Sequence, residues 1–430
     1  MLEEALINIG LCGVLLFLVV RLLPQRFRKP VSTTMAAILL LIVLCLSLSE
    51  RSPVGLIGLT SSLIGIAAVV TGYSLIEEDV STHNLLILVL CVSSILITHT
   101  KDLVKVFLEW EILSTAVVSL TAYHRNKEGA EAALKYLMLC GAGTALALIG
   151  IILVFIETGS TSIHSVPSSS ILAKIFLLLG FGTEAALFPL HFWLPDAHMA
   201  APSTASAVLS GVVIESAAIL VYRLVFGEEL IRYIVLPLAL IGAFIGNLSA
   251  YKQDDLKRLL AFSSFANVNY ILLAWATGNN LATVYAFLHV FAHGLLKSAL
   301  FIVSGVLLAE YGTRHLSKLY GVASKNNVLK FTVILASLGL TGAPPLLTFW
   351  SELYMGVGLF QFNVLVGLGF MFSIIISFAY YFRIFYTLAS GSNDAVHLRH
   401  RVALLTSFLL VLFSLVAFIF CPTIVSYFGL

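Results

Sequence analysis

Residues 280–308 read NLATVYAFLHVFAHGLLKSALFIVSGVLL. At 1.5 Å per residue this stretch is long enough, as a helix, to cross the hydrocarbon core of a bilayer. It carries His289, His293 and Lys297 among aliphatic and aromatic neighbours. Four residues turn a helix by about 400°, so these three groups line one face with a drift of about 40° per step. Imidazole titrates close to neutral pH and an amine can hold or pass a proton, so the aligned groups can form a relay about 12 Å long. A lone histidine in such a helix is most simply a hydrogen-bonding core residue. Three aligned groups in apolar surroundings favour the relay, because each is costly to insert.

Composition extends this reading to the whole chain. Of 430 residues, 60% are hydrophobic and 11% charged, and the mean hydropathy is +1.03. Soluble domains carry about 25% charged residues, so the solvent here must be lipid. A net charge of +2 gives no footprint for nucleic acid. Cys12, Cys45, Cys91, Cys140 and Cys421 sit in or beside apolar runs and form no metal or disulfide framework. The first span is expected to stay attached, since Glu3 and Glu4 precede it and Arg21, Arg26, Arg28 and Lys29 follow it.

Fourteen spans are predicted: 5–23, 33–49, 54–76, 82–98, 102–122, 131–157, 171–190, 203–225, 231–250, 255–276, 280–308, 328–360 (broken), 364–389 and 402–428. The positive-inside rule tests the count. With both termini outside, the cytoplasmic loops hold Arg21, Arg26, Arg28, Lys29, Arg125, Lys127, Lys252, Lys257, Arg258, Arg314, Lys318, Lys325, Lys330, Arg383, Arg399 and Arg401. That is sixteen of the 24 Lys and Arg, while the opposite loops hold few, such as Arg51, Lys101 and Arg232. No room is left for a soluble domain. Residues 1–430 are therefore read as one membrane domain.

Two spans are broken by proline. Gly342-Ala343-Pro344-Pro345 interrupts the twelfth, and Pro189 with Pro195 ends the seventh. Proline removes a backbone donor and clashes with the preceding turn, and the freed carbonyls must face protein or a water-filled cavity. Broken helices in matching places indicate inverted repeats around an ion path. The two breaks are five spans apart, so two inverted five-helix repeats are expected, over 82–225 and 231–389. Residues 1–98 supply N-terminal spans and 402–428 the last. Phe192-Trp193 and Phe349-Trp350 echo each other after the breaks.

Further ionisable residues fall inside the spans. Glu109 and Glu111 lie in the fifth, Lys135 in the sixth, Glu184 in the seventh, Glu215 in the eighth and Glu352 just past the break in the twelfth. Such residues mark ion pathways by default. Glu109 is expected to face a neighbouring subunit or the interface, and Arg223 to snorkel. Asp196 and His198 are read either as a cytoplasmic mouth or as a solvated turn. Asp254, Asp255, Lys257 and Arg258 read as a helix start at the membrane surface.

Several of these stretches together resemble one family. They are Trp110-Glu111, Ala133-Leu134-Lys135-Tyr136, Phe188 through His198, Ala201-Pro202-Ser203, Asp255-Leu256-Lys257-Arg258 with Ala261-Phe262-Ser263-Ser264, His289 to Lys297, and Pro344-Pro345 followed by Phe349-Trp350. They fall in order along essentially the whole chain. The family is that of the antiporter-like subunits shared by respiratory complex I, Mrp cation/proton antiporters and membrane-bound hydrogenases. The resemblance implies an all-α membrane fold of fourteen spans, proton or sodium translocation, and work within a multisubunit complex in the plasma membrane of a prokaryote. Its partners would be further antiporter-like and redox-module subunits. It also implies an ion path through Glu111, Lys135, Glu184, Glu215, His289, His293, Lys297 and Glu352.

Two positions depart from the family pattern. The seventh-span and eighth-span lysines of the family fall on Glu184 and Glu215. The usual glutamate–lysine pair would then be two acids, Glu111 and Glu184, expected to share one proton. Such a pair can relay protons, bind a hard cation such as sodium, or mark a half that has stopped conducting. No Gly-rich nucleotide loop and no clustered cysteines occur, so no cofactor is expected and redox chemistry is assigned to partners. The alternatives are a non-conducting scaffold subunit and a stand-alone secondary transporter. The acidic substitutions, and a sequence that ends at Leu430 soon after the last span, favour an archaeal or bacterial hydrogenase or sulfur-reductase relative as the parent.

Overall fold

A computed structural model describes residues 2–391 and 399–430. Eleven helical stretches among the described residues are long and apolar enough to cross a membrane. The first half begins with α1 (Leu2–Leu22), α2 (Gln25–Ser49), α3 (Pro53–Leu75), α4 (Val80–His99), α5 (Leu103–Thr121) and α6 (Lys127–Thr158). Then come α7 (Ile171–Glu184), α8 (Leu194–Ala200), α9 (Ser203–Val208), α10 (Ile214–Val225) and α11 (Glu229–Lys252). The second half holds α12 (Leu256–Ala276), α13 (Asn280–Tyr311), α14 (Asn327–Gly339), α15 (Leu347–Phe362), α16 (Val364–Ala389), α17 (Arg401–Ile419) and α18 (Cys421–Tyr427).

The helix ends follow from short polar side chains. Asp102 accepts from the amides of Val104 and Lys105 to start α5, and Asp255 does the same with Lys257 and Arg258 to start α12. Asn126 starts α6 and Asn279 starts α13. Both of those helices end on a left-handed glycine, Gly159 and Gly312. Asp102 then bridges to Ser162, and Asp255 to His315. Every one of these landmarks lies 153 positions before its counterpart: 102 and 255, 126 and 279, 159 and 312, 162 and 315.

The proline breaks fall where the sequence places them, and their loose backbone groups are met inside the protein. After α7 the Trp193 indole donates to Thr183 O at 2.9 Å, and Asn269 donates to Ala186 O at 3.3 Å. After α14 Thr348 donates to Gly339 O, and the Trp350 indole reaches Phe418 O at 3.2 Å. Phe188–Pro189 and Pro344–Pro345 are both cis.

Some expectations change. The eighth predicted span contains a π-helical segment, Leu209–Val213, between α9 and α10. The second begins eight residues earlier than predicted, at Gln25, with Pro30 tolerated near its start. The last divides at Phe420 into α17 and α18. Arg223 does not snorkel: it is half-buried and donates to Ile97 O and Thr100 O, capping the end of α4. Glu109 does not face outward alone; Ser93 of α4 donates to it at 3.5 Å. The helix of the opening stretch, α13, is enclosed throughout its apolar window, whereas α1 and α2 keep most of theirs on the outside.

Candidate ion-translocation site

The site grows from the enclosure of α13. Gly294 faces Gly211 of the π-helical segment so closely that a Cβ at Gly294 would lie 2.8 Å from Gly211 O. Small residues let two backbones approach this way in a membrane, and π-bulges re-aim the side chains beyond them. Glu215, four residues past Gly211, is thereby brought onto His293: Oε1 and Nδ1 are 2.7 Å apart, and both side chains are buried. Glu215 Oε2 and His293 Nε2 have no hydrogen-bond partner. The pair therefore has one shared contact and one free atom on each side, which is what a transfer step requires.

The column continues along α13. The rings of His293 and His289 stack with centroids 5.8 Å apart. His289 Nδ1 lies 2.9 Å from Ser351 Oγ, and its Nε2 lies 3.1 Å from Asn267 Oδ1. Lys297, fully buried, donates to Ser263 Oγ and to Leu260 O, and sits 5.4 Å above the Tyr381 ring. The four groups come from α10 and α13, with α12 and α15 supplying the hydrogen-bond partners. Helical spacing places His289, His293 and Lys297 on one face; only the fold adds Glu215 to them.

The remaining predicted residues stand apart from this column. Glu184 is buried at the end of α7, where Tyr136 donates to its Oε2 at 3.2 Å. The Trp110 indole and the Cys140 thiol also face the Glu184 carboxylate as hydrogen-bonding neighbours. Glu111 is exposed on the outer face of α5 and makes no hydrogen bond to Glu184, so the two acids are within electrostatic reach of each other but not in contact. The reason is rotational: Trp110, one residue earlier, takes the inward position and turns Glu111 away. Lys135 is also on the outside, with its side chain 48% exposed. It pairs with Asp196 at 2.8 Å and Glu131 at 3.4 Å. Glu352 is buried after the second break, beside Gly342, whose backbone approaches its carboxylate too closely for a Cβ. It lines an apolar cavity of about 330 Å³ with Thr341 and Phe370.

A second cavity, of about 450 Å³, opens beside Lys135, Asp196, Lys257 and Arg314. Lys257 is buried at its base and donates to Ala201 O. Behind it lies His198, fully buried, stacked on Phe301 at 5.0 Å, with neither ring nitrogen partnered. His198 is within electrostatic reach of both Lys257 and Lys297. Asp196 thus lines this cavity, and His198 is buried rather than part of a solvated turn. Buried unpartnered imidazole nitrogens are rare in native proteins. The sequence signals for His198 are its place just past the proline break and at the end of the Phe188–His198 motif.

A chain of many membrane helices, with carboxylates, imidazoles and lysines enclosed between broken helices, defines a polytopic membrane protein. Residues 100–377 match the family described as NADH:quinone oxidoreductase/Mrp antiporter, transmembrane, and the chain belongs to that family. It is 33% identical over 302 residues to NADH-quinone oxidoreductase subunit N of Desulforudis audaxviator, covering 66% of this chain and 60% of that one. It is 34% identical over 279 residues to a hydrogenase-4 component F homologue of Methylacidiphilum infernorum, covering 60% and 58%. The matched stretch thus spans about three-fifths of these relatives' length. The fold is that of a chain in the archaeal membrane-bound sulfane sulfur reductase, with TM-score 0.90, 21% identity, and coverage of 99% and 96%.

Proposed function

We propose that this chain translocates protons as an antiporter-like subunit of a complex-I-related membrane assembly. The observation that carries the reading is the enclosed Glu215–His293 contact of 2.7 Å, continued by the stacked His289. A proton can pass between carboxyl and imidazole at this contact, and ring rotation or a bridging water would carry it across the 5.8 Å to His289. Protons suit this column better than sodium, because its donors are largely nitrogen and hard cations take oxygen ligands. Glu184 does not alter that balance, since a single carboxylate among a phenol, an indole and a thiol is not an oxygen cage.

The architecture proposed with this function has fourteen spans: the eleven apolar stretches, α5, and the broken pairs α7–α8 and α14–α15. The recurrence at 153 positions supports two inverted repeats, since five spans separate the equivalent helices and an odd number reverses direction. Both termini are placed outside and the Lys135–Asp196 mouth inside, on the side rich in Lys and Arg. The membrane is the plasma membrane of a prokaryote. Partner subunits supply the redox or antiport chemistry that drives the flux.

The test is Glu215→Gln in the intact parent complex, purified through a tag on this chain and reconstituted in liposomes. Proton uptake per turnover is expected to fall by roughly a hundredfold, the scale of losing a positioned proton-transfer group. Unchanged uptake would mean a non-conducting scaffold. Full activity from this chain alone would mean a stand-alone transporter.

A further inference from the structure

Tyr136, on α6, is enclosed. Its Oη lies 2.9 Å from Ser114 Oγ on α5 and donates to Glu184 Oε2 on α7 at 3.2 Å. The recurrence at 153 positions relates Tyr136 to His289, and Ser114 to Asn267. His289 Nε2 contacts Asn267 Oδ1 at 3.1 Å. The same helix pair therefore makes the same contact in both halves, imidazole to amide in one and phenol to hydroxyl in the other. Cys140 lies at the position equivalent to His293, and Thr144 at that of Lys297. In the first half the column along the helix is thus interrupted, and Tyr136 turns instead to Glu184.

We infer that Ser114 and Tyr136 form a proton relay joining the outer face of α5 to Glu184, the first-half counterpart of the His289 node. This rests on the proton-translocating reading. In each step one O–H bond breaks and one forms. A proton arriving at Ser114 Oγ displaces the hydroxyl proton to Tyr136 Oη, whose own proton passes to Glu184 Oε2. The phenol and the serine hydroxyl reset by rotation, and no charge has to remain on either. Ser114 is half-exposed on α5, one turn from Glu111, which gives the relay its outer end. Glu184, buried at the end of α7, is the inner end.

The competing role for Tyr136 is packing, since its ring meets Trp193 edge-on at 5.0 Å. Phenylalanine fills that role equally, so Tyr136→Phe separates the two. In the intact complex, infrared difference spectra identify the Glu184 band as the one lost in Glu184→Gln. Tyr136→Phe is expected to shift that band and to lower proton uptake per turnover by about tenfold or more. Ser114→Ala is expected to lower uptake while leaving the band nearly in place, because the Tyr136 contact to Glu184 survives. A band unmoved by Tyr136→Phe, or wild-type uptake in either variant, overturns the relay. If Tyr136→Phe does not assemble, Ser114→Ala decides by uptake. Glu215→Gln is run alongside: loss there with wild-type uptake in Tyr136→Phe removes the relay alone, whereas wild-type uptake in both removes the proton-translocating reading too.

Discussion

Lys135 and Lys297 belong to helices of equal length, α6 and α13, yet they live in opposite surroundings. Lys297 is enclosed, and its hydrogen bonds go to Ser263 and Leu260 O, with no carboxylate in contact among the described residues. Lys135 is outward, in a two-carboxylate pairing with Asp196 and Glu131. The carboxylates show the same split. Glu215 is sealed against His293, whereas Glu111 stands on the open face of α5. An ionisable side chain in an apolar helix is therefore not one kind of object. Where the chain itself surrounds it, the surrounding atoms fix its partner and its loss is costly. Where it lies on the rim, its partners are themselves partly exposed, and its loss costs little.

The sharpest way to break this contrast is at the close approach that seals the column. Gly294→Leu would drive a branched side chain into Gly211 O and the side chains of Thr60 and Ile64. It is expected to abolish assembly of the chain, read as loss of the monodisperse complex in size-exclusion chromatography. Next comes the sealed pair. Removing one member of a buried pair costs about 3–5 kcal/mol because the other is left uncompensated. Glu215→Leu and His293→Leu are each expected to lower thermal stability by that amount. The double variant should recover most of it, a non-additivity that a double-mutant cycle detects, while proton uptake stays lost. Additive losses would show that the two groups do not act as a pair.

Arg223→Met removes two charge-assisted bonds to the end of α4 and is expected to cost about 1.5–3 kcal/mol, seen as a lower melting temperature. Lys135→Met lies at the other extreme. Its partners are solvated, so thermal stability should be unchanged, while the rate of proton uptake from the cavity beside it falls modestly. A large stability loss there would erase the distinction between rim and column.

The smallest effect concerns Glu228, at the start of α11. Its bond from Lys174, at 2.8 Å, holds the carboxyl below the usual glutamate range. A lowered folded-state value stabilises above the ordinary carboxyl range, and that contribution is lost as pH falls through the lowered value. Glu228→Gln should therefore remove a small increment of stability at neutral pH, with wild type and variant converging below about pH 4.

Much of this molecule could be read from its residues. Composition dictates the solvent, because a chain this apolar cannot cover a water-facing surface. Pro189 and Pro344-Pro345 dictate the breaks, because proline lacks the donor a helix needs. His289, His293 and Lys297 share a face because helical spacing is local. The motifs from Trp110-Glu111 to Phe349-Trp350 carry the family. What spacing could not tell is which way a single residue turns. Glu111 and Glu184 read as a pair of acids sharing a proton, and the rotation that buries Trp110 leaves them in electrostatic reach without a hydrogen bond. Arg223 and Glu109 read as outward and find partners on α4.

The sequence by itself determined the helices, their breaks and the inventory of ionisable groups, since periodicity, proline chemistry and apolarity act within one segment. Only the tertiary structure decided which of those groups are sealed and which lie open. That choice depends on how closely helices distant in sequence approach. The crossing at Gly211 and Gly294 puts Glu215 against His293, and the meeting of α5, α6 and α7 puts Tyr136 between Ser114 and Glu184.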